Sequence, residues 1–431
     1  MSDRAAGGDS GRPPLSLPPG HALPGAPDPS GTLIRNVAAL FSGVLLWTMC
    51  HFGILAVLPL FLDDQGWDTR AIGFALGVSG VAQVCVRPFA GWLIDAFGRR
   101  LPLVLALVLL SVATVLLLVP AGWAVLANRV LTGIAFSVGT TAFYTLTVEA
   151  APAGRRSEVQ GYIALGMTLG IGFGPPIAVA AFHGLSRGSA APPERLAMLA
   201  VATAVGALAS GACFLATVSA FRPLGRAHPY SLRAPFRREG AAAAFLNFCI
   251  QVPYTGFSGF LPLWVIGHGV ANPGLLFVSS QVGVVASRLF GGRLADRHGH
   301  RAVLVPAMIG AGGALALTCI TAGLPTFLVL AAAYGLFYGV SVVVALSVAA
   351  EAAPPEGRSA VINTYGLGSD VAQLLGPWAL GLAAGTWGLR GALVVAGAVP
   401  FVGAAVLLAT RSAARLTGPA VRTPRPARSR S

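Results

Sequence analysis

The chain has no lysine: all 29 of its basic residues are arginine. With 55 glycines and 31 prolines as well, the composition points to a GC-rich, bacterial genome. Charge of either sign is scarce, at 10% of residues, where a soluble domain carries about 25%. Such a surface must face something other than water, and a mean hydropathy of +0.74 agrees. Cysteine is sparse too. Cys50, Cys85, Cys213, Cys249 and Cys319 share no short spacing and all fall in apolar segments, which excludes a disulfide framework and a cysteine zinc site. They read as small buried hydrophobes. There is no Gly-x-x-x-x-Gly-Lys loop, no His-Glu-x-x-His pair and no nucleophile elbow. Direct ATP drive, a resident metal or cofactor, and enzyme activity are therefore not expected. The net charge of +14 would suit a nucleic-acid binder, but the arginines cluster in alternate loops and in both tails, as in a membrane protein.

What the chain does have is long apolar runs. Leu101 to Pro120 is twenty residues without a charge. Roughly 20 apolar residues cross a bilayer as a helix, the form that satisfies its own backbone in lipid. Twelve such spans are expected near 36–62, 71–95, 101–120, 123–148, 158–182, 195–220, 241–266, 273–295, 302–322, 325–350, 359–384 and 389–410. The predicted organisation is a disordered tail (1–31), a six-helix lobe (32–221), a linker (222–240), a second six-helix lobe (241–411) and a basic tail (412–431). No signal peptide is expected, because no apolar core closely follows the first charges. Outer loops hold only Arg70, Arg187, Arg195 and Arg390 if both termini are cytoplasmic, so the arginine bias predicts that orientation.

The two halves repeat. Arg87-Pro-Phe-Ala-Gly91-Trp-Leu-Ile-Asp95-Ala-Phe-Gly98-Arg99-Arg100 is answered by Arg288-Leu-Phe-Gly-Gly292-Arg-Leu-Ala-Asp296-Arg-His-Gly299-His-Arg301, with Arg87 and Arg288 201 residues apart. Glu149-Ala-Ala-Pro is answered by Glu351-Ala-Ala-Pro, and Gly174-Pro175 by Gly376-Pro377, each 202 residues on. Direct repeats in a membrane chain are related by an axis along the membrane normal.

These residues resemble the major facilitator superfamily. Its signature turn after span 2, Gly-x-Leu-x-Asp-x-x-Gly-Arg-Arg, is matched at Gly91, Leu93, Asp95, Gly98, Arg99 and Arg100. The second copy, with Asp296 and Arg301, is a degenerate echo. Arg129 and Gly133 resemble the family's span-4 arginine motif. Gly161, Gly170, Gly174 and Pro175 resemble its antiporter helix, although Ala178 and Val179 stand where two further glycines are expected. The resemblance covers residues 32–411. It implies an all-α fold of two pseudo-symmetric six-helix bundles, and a cytoplasmic gate in which Asp95 packs at the start of span 11, near Arg358 and Ser359. It also implies that span 5 faces span 8, and that spans 1, 4, 7 and 10 line a central cavity.

Arg129 lies inside span 4 and its second-half counterpart is Ala331, so symmetric packing does not demand it. Intramembrane charges are costly and mark a cavity or a partner. Asp370 is the one carboxylate placed deep in a span; its counterpart is Thr168. With His51, these are the candidate coupling groups. Against that stands a structural arginine bonded to carbonyls, an Asp370 satisfied by Ser369 or Gln373, and a packed histidine. Trp47, Asn247, Gln251, Tyr254, Tyr334, Tyr338 and Gln373 are the candidate pocket residues, spaced to share helix faces. The expected activity is proton-coupled export of a small organic molecule, by a monomer in the bacterial inner membrane. Metabolite or sugar uptake by symport or facilitated diffusion is the alternative. A transporter-like sensor without turnover is a reading of another class.

Overall fold

A computed structural model describes residues 29–98, 100–119, 121–150, 156–184, 192–218, 237–351 and 358–409. The predicted tails lie outside the described residues except where α1 extends back into the first, and so does most of the predicted linker. The described residues are helices and short turns, with no strand among them. The first half holds α1 (Pro29–Asp64), α2 (Thr69–Phe97), α3 (Arg100–Leu116), α4 (Gly122–Ala150), α5 (Arg156–Gly184) and α6 (Pro192–Val218). In the second half, α7 (Ala241–Gly259) breaks at Phe260 and resumes as Leu261–Ile266. Pro262 explains the break, since it has no N–H to donate one turn back. Then come α8 (Leu275–His298), α9 (His300–Leu317) and α10 (Leu324–Glu351). The last helical stretch, Arg358–Ala409, is interrupted at Gly388, whose φ of +73° is a left-handed value that glycine adopts readily. It divides into α11 (358–387) and α12 (389–409), which completes twelve spans.

The twofold kinship is visible in side-chain detail. Ser79 in α2 donates its hydroxyl to Leu76 O at 2.9 Å, and Ser280 in α8 donates to Phe277 O at 2.9 Å. The backbone of each serine lies against a glycine of the crossing helix, Gly133 in α4 and Gly335 in α10, with no room for a Cβ. The offsets are 201 for the serines and 202 for the glycines. Small residues at such crossings let backbones approach closely, which supplies the van der Waals contact that holds helices together in lipid. The outer surface is apolar instead of charged. On α3, Leu101, Leu105, Val108, Val112 and Val115 are all exposed, spaced as one helix face. The residues at the end of the predicted linker are anchored: the Arg237 backbone N–H donates to Thr364 Oγ1 at 2.8 Å, seating the short turn Arg238–Gly240 on α11.

Two seams carry most of the contact between the lobes. In the first, α2 lies on α11. Gly73 meets Pro377 and Gly381, Gly77 meets the Trp378 ring, and Gly80 meets the Leu374 backbone. Trp378 Nε1 donates across the seam to Phe74 O at 3.1 Å. In the second seam, α5 lies on α8. Gly172 packs on Gln281, Gly274 packs on Pro176, and Asn272 Nδ2 donates to Pro176 O at 3.1 Å. These contacts close the end of the bundle that carries the α1–α2 turn. Between the seams, toward the opposite end, the lobes separate around a cavity.

Candidate functional site

The cavity measures about 500 Å³, within the range of sites for small organic ligands. Both lobes line it: Phe52, Phe136, Met167 and Thr168 from one, Gln251, Tyr254, Gln281, Arg288, Tyr338, Ser369 and Gln373 from the other. It also reaches Gln160, one turn from the start of α5, at the end opposite the seam contacts. Its polar wall is a chain of hydrogen bonds: Tyr338 Oη donates to Gln251 Oε1 at 2.7 Å, and Gln251 Nε2 donates to Ser369 Oγ at 3.2 Å. Tyr254 stacks on Tyr338 with ring centroids 5.4 Å apart. The wall is thus held in place by α7, α10 and α11 together, with aromatic faces beside fixed amide and hydroxyl groups.

Just behind Ser369, an ion pair crosses between the lobes. Arg87 of α2 donates through Nη2 to Asp370 Oδ1 of α11 at 2.6 Å, and through Nε to Oδ2. This two-pronged geometry matches the guanidinium fork to the carboxylate. Asp370 is 1% exposed and Arg87 19%. Asp370 is the one acidic side chain among the buried polar residues described. The alternative of satisfaction by Ser369 or Gln373 is therefore corrected, since its partner comes from the opposite lobe. Gly366, one turn before Asp370, leaves the space that the Arg87 guanidinium occupies.

The other expected residues divide. Gln251, Tyr254, Tyr338 and Gln373 line the cavity. Trp47 is 3% exposed in the core of the first lobe, between Phe136 and Phe143, and is not among the lining residues. Asn247 turns to α11 and donates to Tyr365 O at 2.9 Å. Tyr334 is buried between Phe257 and Tyr338. His51 stacks on Phe136 with centroids 4.7 Å apart. Arg129 is buried and donates to Ser79 Oγ at 2.8 Å, tying α4 to α2, and neither residue is among those lining the cavity.

The glycine ladder of α5 is divided as well. Gly170 and Gly174 pack on Thr48 and Met49 of α1, inside their own lobe, while Gly161 has open space beside it. The contact with α8 is made instead by Gly172 and Pro176. At the signature turns, Gly98 and Gly299 have φ of +75° and +86°, so each copy of the motif ends its helix on a left-handed glycine. The side chains of Asp95, Arg99 and Arg100, the surroundings of Gly91, and the expected contact near Arg358 and Ser359 lie outside the described residues. In the second copy Asp296 is exposed, and Arg301 Nη2 donates to Leu408 O at 2.6 Å, capping the last turn of α12.

Two residues of the site were overlooked as site residues in the sequence: Arg87 and Arg288. Both open a copy of the repeated motif, and both sit within spans. An intramembrane cation calls for an intramembrane partner, and Asp370 was available.

The sequence model of the Major Facilitator Superfamily matches residues 38–272 and again 243–430. The chain belongs to the major facilitator superfamily. It is therefore a multi-pass membrane protein of that family. Among curated relatives, the Quinolone resistance protein NorA of Staphylococcus aureus (strain MRSA252) is 26% identical over 146 residues, which is 34% of this chain and 36% of that protein. Multidrug resistance protein 2 of Bacillus subtilis (strain 168) is 23% identical over 144 residues, 33% of this chain and 34% of that one. The chain thus matches about a third of the length of these relatives. Solved structures share the fold at low identity. A POT family transporter in complex with 5-aminolevulinic acid superposes with a TM-score of 0.73 at 12% identity, covering 87% of this chain and 95% of that one. The nucleoside transporter NupG gives 0.69 at 13% identity, covering 87% and 99%.

Proposed function

We propose that this major facilitator protein exports a small organic molecule across the bacterial plasma membrane in exchange for protons, acting as a monomer with both termini in the cytoplasm. The observation that carries the reading is the Arg87–Asp370 pair, which joins the lobes directly behind the cavity wall. A carboxylate in that position makes lobe contact depend on its charge. With Asp370 ionised the pair holds α2 against α11, and the cavity reaches the end assigned to the cytoplasm. Substrate enters there. Opening of the opposite end parts the seams and exposes Asp370 to outside protons. Protonation removes the charge that Arg87 grips, the substrate leaves, and the proton is released inside when the pair re-forms. One proton then moves inward on the carboxylate as the substrate moves outward. The names of the curated relatives, quinolone resistance and multidrug resistance, support export and a drug-like substrate class.

The test uses everted membrane vesicles with an acid interior, monitored with a pH-sensitive dye and challenged with a drug panel that includes norfloxacin and ethidium. A transported drug should raise the internal pH by drawing protons out. In Asp370→Asn that proton movement should vanish while drug binding persists. Unchanged proton movement in the variant would remove the coupling role of Asp370, and absence of any drug-dependent proton movement in the wild type would defeat the antiport reading.

A further inference from the structure

The two walls of the chamber differ. The first lobe contributes Phe52, Phe136, Ile163, Met167 and Ile171, and its Thr168 hydroxyl donates to Ala164 O of its own helix at 2.8 Å. The second lobe contributes most of the hydrogen-bonding groups. Gln251 spends both ends of its amide inside the protein, on Tyr338 and Ser369. Gln281 of α8 and Gln373 of α11 also line the chamber, and neither amide is hydrogen-bonded to a described residue. Each stands where a seam closes. A Cβ on Gly172 of α5 would lie 3.3 Å from Gln281 Cγ, and one on Gly80 of α2 would strike the peptide joining Gln373 to Leu374. Gln281 is the repeat counterpart of Gly80, 201 residues on, and Leu374 is that of Gly172, 202 residues on. At this matched crossing the first lobe gives a glycine to both seams and the second lobe gives the bulk, so both amides are anchored at lobe contacts. No acidic side chain is among the lining residues. Arg288, the one charged side chain among them, already has an interaction within the protein, and Asp370 behind Ser369 is held by Arg87.

We infer that the substrate is an uncharged planar aromatic molecule with a hydrogen-bond donor beside an acceptor on one edge, as in a lactam, a primary amide or an amino-heterocycle, and that Gln281 and Gln373 bind that edge. This rests on the reading of the cavity as the transport chamber. A glutamine amide carries a carbonyl acceptor and an NH2 donor side by side, the complement of such an edge. The edge leaves water on entering, and a buried polar group costs free energy unless a partner replaces the water; the two unspent amides are those partners. A charged substrate finds no such replacement. A cation meets no acid, and an anion must draw Arg288 from its present interaction. The apolar first-lobe wall and the stacked Tyr254 and Tyr338 rings take the flat faces. Because the Gln281 stem packs on α5 and the Gln373 peptide on α2, a substrate held by both amides is bound at the points where the seams must part.

The experiment measures ligand-induced thermal stabilisation of the purified full-length protein in detergent, which reads binding without transport. The four probes share a three-ring framework: phenanthridinone, a neutral lactam; dibenzo-α-pyrone, its lactone counterpart without the N–H; N-methylphenanthridinium, a cation; and phenanthridine-6-carboxylate, an anion. The lactam should stabilise the wild type at a concentration about three- to tenfold below that of the lactone, the span of one neutral hydrogen bond, and below that of either charged probe. Gln281→Leu and Gln373→Leu remove the amides and keep the bulk; each should narrow the gap between lactam and lactone, and the double variant should close it. Gln281→Asn and Gln373→Asn, which keep an amide on a shorter stem, should retain part of the preference. The wild-type ranking of the four probes decides by itself where a leucine variant is too unstable to measure. Equal binding of lactam and lactone by the wild type, tighter binding of the cation or the anion, no binding of any probe, or a lactam preference that survives in the double leucine variant each overturns the inference. Lactam selectivity without drug-driven proton movement would leave the amide site standing and remove the antiport reading. Proton movement driven by drugs beside equal binding of lactam and lactone would do the reverse.

Discussion

The most direct test of the lobe contact is a double-mutant cycle on Arg87 and Asp370. Asp370→Asn replaces two charge-assisted hydrogen bonds by at most one ordinary bond. Hydrogen bonds to charged groups contribute about 1.5–3 kcal/mol each and neutral ones about 0.5–1.5 kcal/mol. Arg87 keeps some exposure, at 19%, which allows solvent or headgroups to compensate it in part. The expected coupling energy is therefore about 2 kcal/mol, below the 3–5 kcal/mol seen when a fully buried pair is broken. Because the pair bridges lobes, the loss falls on the conformation in which α2 and α11 touch. Two kcal/mol corresponds to a shift of about thirtyfold in the balance of conformations. Spin labels on the ends of α2 and α11 near the α1–α2 turn, read by pulsed electron resonance, should report the redistribution. Arg87→Gln, Asp370→Asn and the double variant should shift it by similar amounts, with the double far from the sum of the singles. Acidification should move the wild type in the same direction, since it neutralises Asp370, and should leave Asp370→Asn unmoved. Additive single effects, with coupling under about 0.5 kcal/mol, would refute the argument.

Other expectations follow from the packing. Gly335→Ala should destabilise the second lobe strongly in thermal unfolding, because its Cβ would enter the Ser280 backbone, and an unchanged melting temperature would contradict that contact. Gly161→Ala should instead gain up to about 1 kcal/mol from helix propensity, having open space around it. Loss of transport with stability intact would show that Gly161 packs closely only in another conformation. Gly80→Ala should wedge α2 from α11 and raise the labelling of a cysteine placed at Leu374, and protection equal to the wild type would argue against the seam. Tyr338→Phe removes the bond to Gln251 and should weaken polar substrates by about 1 kcal/mol while leaving apolar ones unaffected.

Much of the architecture was legible in the sequence because the chain states it twice. The offset between Arg87 and Arg288 reappears in space as the matched Ser79 and Ser280 crossings. The pocket was half legible. Gln251 and Tyr254 share a helix face with Asn247, but that face is wide enough for Asn247 to reach α11 while the other two reach the cavity. The spacing of Tyr334 and Tyr338 fixes their common face, and depth along it decides which is buried. The α5 glycines show why a motif alone misplaces a contact. Gly170 and Gly174 are one turn apart and point together, toward α1, whereas Gly172 is rotated by about 200° and meets α8. No local pattern joins Arg87 to Asp370 across 283 positions, because which faces meet between lobes is a property of tertiary packing.

The seams are unequal. One is riveted by an ion pair, whereas its twin has a threonine in the place of the acid. A body fastened more firmly along one edge does not tilt evenly; it swings about that edge as a door does about its hinge post. The α5–α8 edge, held near its end by the bond from Asn272 to Pro176, is then the side of the door that swings, and whatever occupies the chamber beside it decides when the door moves.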